Sequence, residues 1–519
     1  MTATSVPVRP VPRTGRAVPL GLARLLRVEL RRNAMPFVLP LIALVFWFDS
    51  YRIAATLPPL WAERLYYIFG QGHSLIDFAP FVAGVAAWIG SRDGRRGLAD
   101  LLATGARPRF AVQFATWAAT AIWAVGGYLV FMGATLWALG RSISYGAPPY
   151  WPLAVGAVGV AAFSAAGFAA GAFFPTRFTA PVAAFGAVLA CGTSSQIGFS
   201  EPSGWALILP TNSNGNFGQD AGIFYQFLPD LPIARVMFLG GIAVALVALL
   251  GVPVTAGSPR LRHVATVVSA AGAALTVTAI VLATTAQLTA NGVAIPALHD
   301  AASDRPIPYT PVCGNAGTQV CVQPAYRPWL ADVTAALRPV QAQIAGLPGS
   351  PARAAQIAAV FAAPSPGLGA PAGGVGQIAQ ISGQPAVLYL PLGALNLSGA
   401  FGQDRTDFLE AIKLQTVHAF LVAGSSYGDL AQVAVEAALM KNAGIPLATQ
   451  TAVVWPASPW GLPFTVPGGN GPPGQYRYPA QFARAATRFA ALPAATRHAW
   501  LASHLTALRA GHLTLAQLP

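Results

Sequence analysis

The chain has 519 residues, of which 54% are hydrophobic and only 9% are charged. Soluble domains are roughly 25% charged, so the composition excludes an ordinary globular protein that is surrounded by water. The net charge of +14 does not indicate nucleic acid as a partner, because the arginines stand beside apolar segments and do not form one patch. Long apolar runs end near residue 290, which predicts a membrane region followed by a region with a different solvent.

Residues 1–33 are predicted to be a cytoplasmic arm. Residues 1–16 are rich in Pro and Arg and lack the apolar core of a signal peptide, so we expect them to be disordered. In residues 19–33, Leu22, Leu25, Leu26 and Leu30 recur at helical spacing opposite Arg24, Arg27, Arg31 and Arg32. This pattern predicts a basic amphipathic helix in the lipid headgroup layer. The alternative is a solvated stub before the first span.

Residues 34–290 are predicted to be a transmembrane domain of about seven helices. A helix rises about 1.5 Å per residue, and the hydrocarbon core of a membrane is ~30 Å thick, so the length of each apolar segment is compared with that thickness. The first segment is the shortest. The segments are residues 35–48, 65–90, 110–139, 152–174, 179–199, 231–254 and 264–288.

Two ionisable residues, His73 and Asp77, interrupt the second apolar segment. They are four residues apart, so they could pair across one helical turn as an intramembrane polar pair. The alternative is that both lie at the outer membrane interface. Elsewhere, Gly167 and Gly171 match the small-residue pattern of closely packed membrane helices.

The arginines predict the orientation of the chain. With the N-terminus inside, fifteen arginines fall on cytoplasmic pieces, whereas four fall on the opposite short loops. Cytoplasmic loops are enriched in Arg and Lys, so we expect a cytoplasmic N-terminus in a multi-pass protein of the cell membrane. Seven spans then place residues 291–519 outside the cytoplasm, and that placement depends on the span count.

The C-terminal region, residues 291–519, is predicted to be an extracytoplasmic, α-rich α+β domain. Apolar residues recur at helical spacing in residues 322–346, and a strand-like run follows at residues 385–392. The strongest helical region is residues 405–442, with a break near residues 424–428. Two closing helices are predicted at residues 480–492 and 494–509.

Two of the three cysteines, Cys313 and Cys321, are eight residues apart in this region. If the region is extracytoplasmic, a disulfide that closes a short loop is the favoured interpretation. A zinc pair is the less favoured alternative, because two further ligands are missing nearby and His299 has no companion histidine. Cys191 lies in an apolar segment, where a small buried hydrophobic residue is expected.

No catalytic motif was found in the sequence. The chain has no GxxxxGK[ST] phosphate-binding loop, so we do not expect it to bind ATP itself in that way. It has no HExxH, and His418 has neither a glutamate nor a second histidine at the spacing that motif requires. We therefore predict no metal site, no cofactor bound by this chain and no catalytic residues.

The polar segment of residues 91–109 lies between the second and third apolar segments and reads SRDGRRGLADLLATGARPR. With the amphipathic helix and two spans before it, this segment resembles the ABC-2-type permease subunits of ATP-binding-cassette transporters. In that family the segment has charged residues, a Gly-hydrophobic step, a Leu-Leu pair and a small-residue, Pro, Arg ending. The matching positions here are Arg95, Arg96, Gly97, Leu98, Leu101, Leu102, Thr104, Pro108 and Arg109.

The resemblance covers about residues 21–256 and implies a six-span bundle, to which this chain adds a seventh span and the C-terminal domain. It implies a separate cytoplasmic ATPase, which supplies ATP and Mg, and a second permease copy or paralogue. The ATPase would dock on the N-terminal helix and on Arg92, Arg95, Arg96, Gly97, Leu101, Leu102, Pro108 and Arg109.

The expected function is thus that of a permease subunit, with export as the favoured direction. The alternative is a membrane-anchored extracytoplasmic enzyme or sensor, whose spans mainly hold the C-terminal domain.

Overall fold

The fold is taken from a computed structural model of the chain. The residues that the structure describes are 18–56, 60–65, 68–69, 73–97, 109–143, 145–148, 150–200, 204–211, 221–254, 259–289, 291–356, 380–381, 387–390, 405–422, 429–445 and 480–519.

The N-terminal half of the chain is a bundle of helices. A π-helical turn, Trp47–Tyr51, joins the second helix to the third. The helices are α1 (Val18–Arg32), α2 (Met35–Phe46), α3 (Arg52–Thr56), α4 (Trp61–Leu65), α5 (His73–Gly90), α6 (Arg92–Arg95), α7 (Arg109–Gly140), α8 (Trp151–Phe173), α9 (Thr179–Ser200), α10 (Gly204–Leu207), α11 (Ala221–Phe224), α12 (Asp230–Leu249), α13 (Gly251–Val254) and α14 (Pro259–Thr284).

Within the described residues, five helices are long and apolar enough to cross a membrane: Met35–Ala55, α7, α8, Asp230–Pro253 and α14. Two shorter apolar helices, Ser74–Gly90 and Thr179–Ser194, lie at the remaining predicted places. Many bulky apolar side chains on these helices are exposed, including Phe37, Trp137 and Val182. Lipid is the solvent that suits such a surface, so the architecture is that of a helical membrane protein.

Part of the predicted segment of residues 65–90 lies outside the described residues, so its continuity as one helix stays a prediction. The described part includes Leu65, at the end of α4, and the whole of α5 from His73 to Gly90. The last apolar helix differs from its prediction, because α14 begins at Pro259 and ends at Thr284.

Glycines bring two pairs of helices into backbone contact. A Cβ atom on Gly167 or Gly171 of α8 would lie 2.2 Å from Ala83 O or 2.1 Å from Ala87 O of α5. On α12, a Cβ atom at Gly241 would lie 2.6 Å from a backbone oxygen of α14. Only a residue without a side chain fits at such distances, and close backbone approach is how membrane helices gain packing energy.

The C-terminal region begins with an antiparallel hairpin and contains a five-stranded mixed sheet in the order β3-β4-β5-β7-β6. Strands β4, β5 and β7 run parallel, while β3 and β6 are antiparallel edge strands. The strands are β1 (Gln287–Thr289), β2 (Gly292–Ala294), β3 (Val312–Asn315), β4 (Gln319–Val322), β5 (Arg353–Ala355), β6 (Gln380–Ile381) and β7 (Val387–Tyr389).

Helices make up most of the rest of this region, as far as it is described. A core of apolar residues from these helices surrounds α17, in which every residue from Ala431 to Met440 is buried. The predicted helix of residues 322–346 consists of a 3-10 helix, Pro324–Trp329, followed by α15. The helices are α15 (Leu330–Ile344), α16 (Arg405–Leu421), α17 (Leu430–Asn442), α18 (Ala480–Ala491) and α19 (Ala494–Arg509).

One end of the helix bundle contacts the sheet, and we call this contact the junction. Leu60, Ile223 and Phe224 from the bundle share an apolar core with Val322 and Tyr326 beside the sheet. Polar contacts cross the same boundary, since Ile307 N donates to Phe224 O at 2.6 Å. Apolar burial and backbone hydrogen bonds therefore fix the sheet to this end of the bundle.

We expect Gly167→Ala and Gly171→Ala each to destabilise the bundle, because each new methyl group would collide with a backbone oxygen of α5. The measurement is the thermal unfolding temperature of the purified protein in detergent. Gly126→Ala and Gly186→Ala are matched controls, since a Cβ atom there meets nothing within 4 Å. Equal unfolding temperatures for all four variants would contradict the close α5–α8 contact.

Candidate functional site

The predicted docking segment begins beside the N-terminal helix. Arg92, the first residue of α6, lies 3.3 Å from Glu29 of α1 and 3.3 Å from Asp93. Partial burial alone would lower the pKa of Arg92, but the two carboxylates outweigh burial and raise the pKa of this guanidinium. The ion pair between Arg92 and Glu29 therefore holds α1 against α6.

Two further contacts hold the C-terminal end of α1 against α7. The indole nitrogen of Trp123 donates to Leu30 O at 2.9 Å. Asn33 Nδ2 donates to Thr120 Oγ1 at 3.0 Å, and Asn33 Oδ1 accepts from Met35 N. The predicted helix is thus present and packed against α7, and its place in the headgroup layer stays a prediction.

The remaining arginines of this segment differ in how freely a partner could reach them. Arg95 lies over the Trp88 ring, 3.5 Å from its centroid, and donates to Trp88 O. Arg96 and Gly97 are exposed, and Gly97 adopts a positive φ of 64° that favours glycine. Arg109, the first residue of α7, is half-buried. Leu98, Leu101, Leu102, Thr104 and Pro108 lie outside the described residues.

Helix α1, which the Arg92–Glu29 pair joins to α6, carries four further exposed arginines. We call this set of residues the arginine face, and it consists of Arg24, Arg27, Arg31, Arg32 and Arg96, all of which are exposed. Such a surface can bind an acidic protein surface or anionic lipid headgroups.

Asp77, one member of the predicted intramembrane pair, forms a hydrogen bond within the bundle. Asp77 is buried, and its Oδ2 accepts a hydrogen bond from Ser50 Oγ at 2.7 Å. Ser50 belongs to the π-helical turn after α2, and such turns are frequent at functional sites. The side chain of His73 lies outside the described residues, so its pairing with Asp77 stays a prediction.

A histidine clamped by two aspartates lies at the junction, and sequence analysis missed it. His299 Nδ1 is 3.2 Å from Asp230 Oδ2, and His299 Nε2 is 3.0 Å from Asp304 Oδ2. Asp230 is fully buried at the start of α12, and its Oδ2 also accepts from Ile295 N at 3.0 Å. Asp230 and His299 are 69 positions apart, so only the folded chain brings them together.

A second buried pair of ionisable residues lies within the C-terminal helices. His418 Nδ1 on α16 is 3.3 Å from Glu436 Oε2 on α17, and both residues are buried. The sequence contained a signal for this pair, which is the break predicted near residues 424–428. A helical hairpin brings together residues that lie at similar distances from its turn. In the part of the chain that the structure describes, no group of three His, Cys, Asp or Glu residues could hold a metal ion.

A disulfide links Cys313 and Cys321, which face each other in the β3–β4 pair. Their Cα atoms are 4.1 Å apart. Cys191 is buried in α9 with a free thiol.

Comparisons with protein-family models, with curated proteins and with solved structures found no match for this chain. The functional argument therefore rests on the residues and their arrangement.

We expect Glu29→Arg to loosen α1, because the variant places two cations together where an ion pair now holds the helix. The pair is partly exposed, so the effect should be a few-fold rise in hydrogen exchange along α1, in line with roughly 0.2–1 kcal/mol for such pairs. The double variant Glu29→Arg, Arg92→Glu should restore protection. Arg24→Glu is the control, because Arg24 is exposed on the same helix. Unchanged exchange in Glu29→Arg would exclude a role for this ion pair in holding α1.

Proposed function

We propose that this chain is the permease subunit of an ATP-binding-cassette transporter of the ABC-2 type. The observation that carries the proposal is the arginine face, which α1 and the end of α6 present at one end of a bundle of apolar helices. The segment with Arg95, Arg96, Gly97 and Arg109 is the one that resembles the family's docking segment. In this proposal a separate ATPase binds there, and it supplies ATP and Mg.

The proposed orientation follows from the same arginines. Cytoplasmic membrane flanks are enriched in Arg, so the arginine face and the N-terminus are cytoplasmic in this proposal. The helices of membrane-spanning length, together with the two shorter apolar ones, then cross the cell membrane seven times and leave the sheet domain outside. The Cys313–Cys321 disulfide supports that placement, because such bonds persist in oxidising compartments.

The substrate path in this proposal is shared with a second permease copy or paralogue, and export is the favoured direction. The packed contacts of α1 support a role in transmitting force. A helix fixed to α7 by Trp123 and Asn33 and to α6 by Arg92 cannot move alone. Movement of an ATPase bound to the arginine face would therefore reach the bundle directly.

The test of the proposed function is reconstitution with the ATPase that a neighbouring gene encodes. We expect a membrane complex, and we expect the combined variant Arg95→Glu, Arg96→Glu, Arg109→Glu to lower stimulation of ATP hydrolysis on the order of tenfold by opposing charge complementarity. Arg96→Glu alone is the cleanest variant, because this side chain is exposed. Arg141→Glu, an exposed residue just after the other end of α7, is the matched control. Failure of the purified protein to bind any ATPase subunit would refute the proposal.

The proposed sidedness is tested separately by thiol labelling in intact cells. After reduction with a membrane-impermeant reductant, Cys313 and Cys321 should react with an impermeant maleimide, since the sheet would face outward. The double variant Cys313→Ser, Cys321→Ser is the control and should remain unlabelled, because Cys191 is buried. Labelling that requires cell lysis would overturn the seven-span topology.

A further inference from the structure

We propose that Asp230, His299 and Asp304 form a proton-dependent latch, which fastens the C-terminal region to the first turn of α12. The proposal rests on the number of protons that their hydrogen bonds require. Its test needs no ATPase, so it does not depend on the transport proposal.

Both ring nitrogens of His299 lie within hydrogen-bond distance of a carboxylate oxygen, at 3.2 and 3.0 Å. A neutral imidazole carries one N–H, so one nitrogen would present a lone pair to an ionised carboxylate. Two attractive contacts therefore require either an imidazolium between two carboxylates or a neutral imidazole beside one protonated aspartate. In both cases the latch holds one more proton than neutral His299 with two ionised aspartates.

The surroundings offer no other described hydrogen bond to the remaining carboxylate oxygens. Asp230 Oδ1 and Asp304 Oδ1 are buried and have no hydrogen-bond partner among the described residues. The next charge on α12 is Arg235, whose Nε donates to Leu207 O at 2.8 Å. The hairpin contributes only the neutral side chain of Asn291, which donates to Gln226 O and Ser303 O.

Three other titratable groups lie close to the latch. Burial and the charge of Asp304 raise the pKa of Tyr225, so this phenol is neutral at ordinary pH. Asp300 is exposed and caps the 3-10 helix by accepting from Ala302 N. Arg305 is exposed as well.

The latch joins three segments of the chain. Asp230 begins α12, Ile295 follows β2, and Asp304 ends the 3-10 helix that leads to the sheet. When the bridging proton leaves, one of the two His299 contacts becomes repulsive, and the hold on residues 295–304 weakens. The stabilisation is therefore present while the bridging proton is bound, and it is lost when rising pH removes that proton.

The test is hydrogen exchange of the full-length protein in nanodiscs, read from peptides that contain Ile295, whose N–H donates to Asp230. Protection factors, corrected for intrinsic exchange, are compared between about pH 5.5 and 8. We expect protection in the unaltered protein to fall on the order of tenfold as the pH rises. His299→Ala should have low protection at every pH.

The decisive variant is Asp304→Asn. Its amide can donate to the lone pair of neutral His299 while the opposite N–H donates to Asp230, so the latch no longer needs the extra proton. We expect protection to stay high across the whole pH range. Asp300→Asn is the matched control, since asparagine caps a helix as well as aspartate does, and it should behave like the unaltered protein.

Two results would overturn the latch. One is an identical pH profile for Asp304→Asn and the unaltered protein, which would show that the bridging proton has no role. The other is unaltered protection in His299→Ala, which would show that the histidine does not hold the junction. Thermal unfolding of each variant separates local opening from general misfolding.

Discussion

The structure depends on one constraint, which is that lipid offers no hydrogen bonds to a backbone that crosses it. The apolar segments meet this constraint as helices, which satisfy their own backbone groups. Lipid also gives little hydrophobic reason for helices to associate, so close packing has to supply the attraction. Gly167 and Gly171 show how this is achieved, because α5 and α8 approach until backbone meets backbone. Helices α12 and α14 meet in the same way at Gly241.

The two ends of the bundle differ in the charge and burial of their side chains. At one end, exposed arginines accompany Arg92, which pairs with Glu29 and Asp93. At the other end, His299 lies between the buried Asp230 and the partly exposed Asp304. Exposed cations attract partners at long range, whereas buried acids bind only what lies in contact with them. The first end therefore suits recruitment, and the second suits a fixed internal joint.

Sequence patterns predicted most helices because apolar periodicity and length are local properties. At residues 65–90 the described residues include the end of α4 at Leu65 and α5 from His73, and the single span expected there stays a prediction. The candidate docking residues could be named from sequence because they are close together in the chain, and their role stays a prediction. Arg92 and Arg96 belong to one short arginine-rich segment, which is visible in the sequence. Asp230 and His299 are 69 positions apart, and no periodic pattern connects them. Contacts of that kind arise from tertiary packing, which a single sequence does not display.

Helix α12 connects the two ends. It begins with the buried Asp230 and ends at Leu249, and its 20 residues span ~30 Å at about 1.5 Å each. Beyond it, Gly251 packs beside Phe110, which immediately follows Arg109. A helix resists compression, so a shift of α12 along its axis displaces both ends together. In the proposed latch, His299 fastens the first of these ends to the C-terminal region, so a shift of α12 would act on the contact between His299 and Asp230.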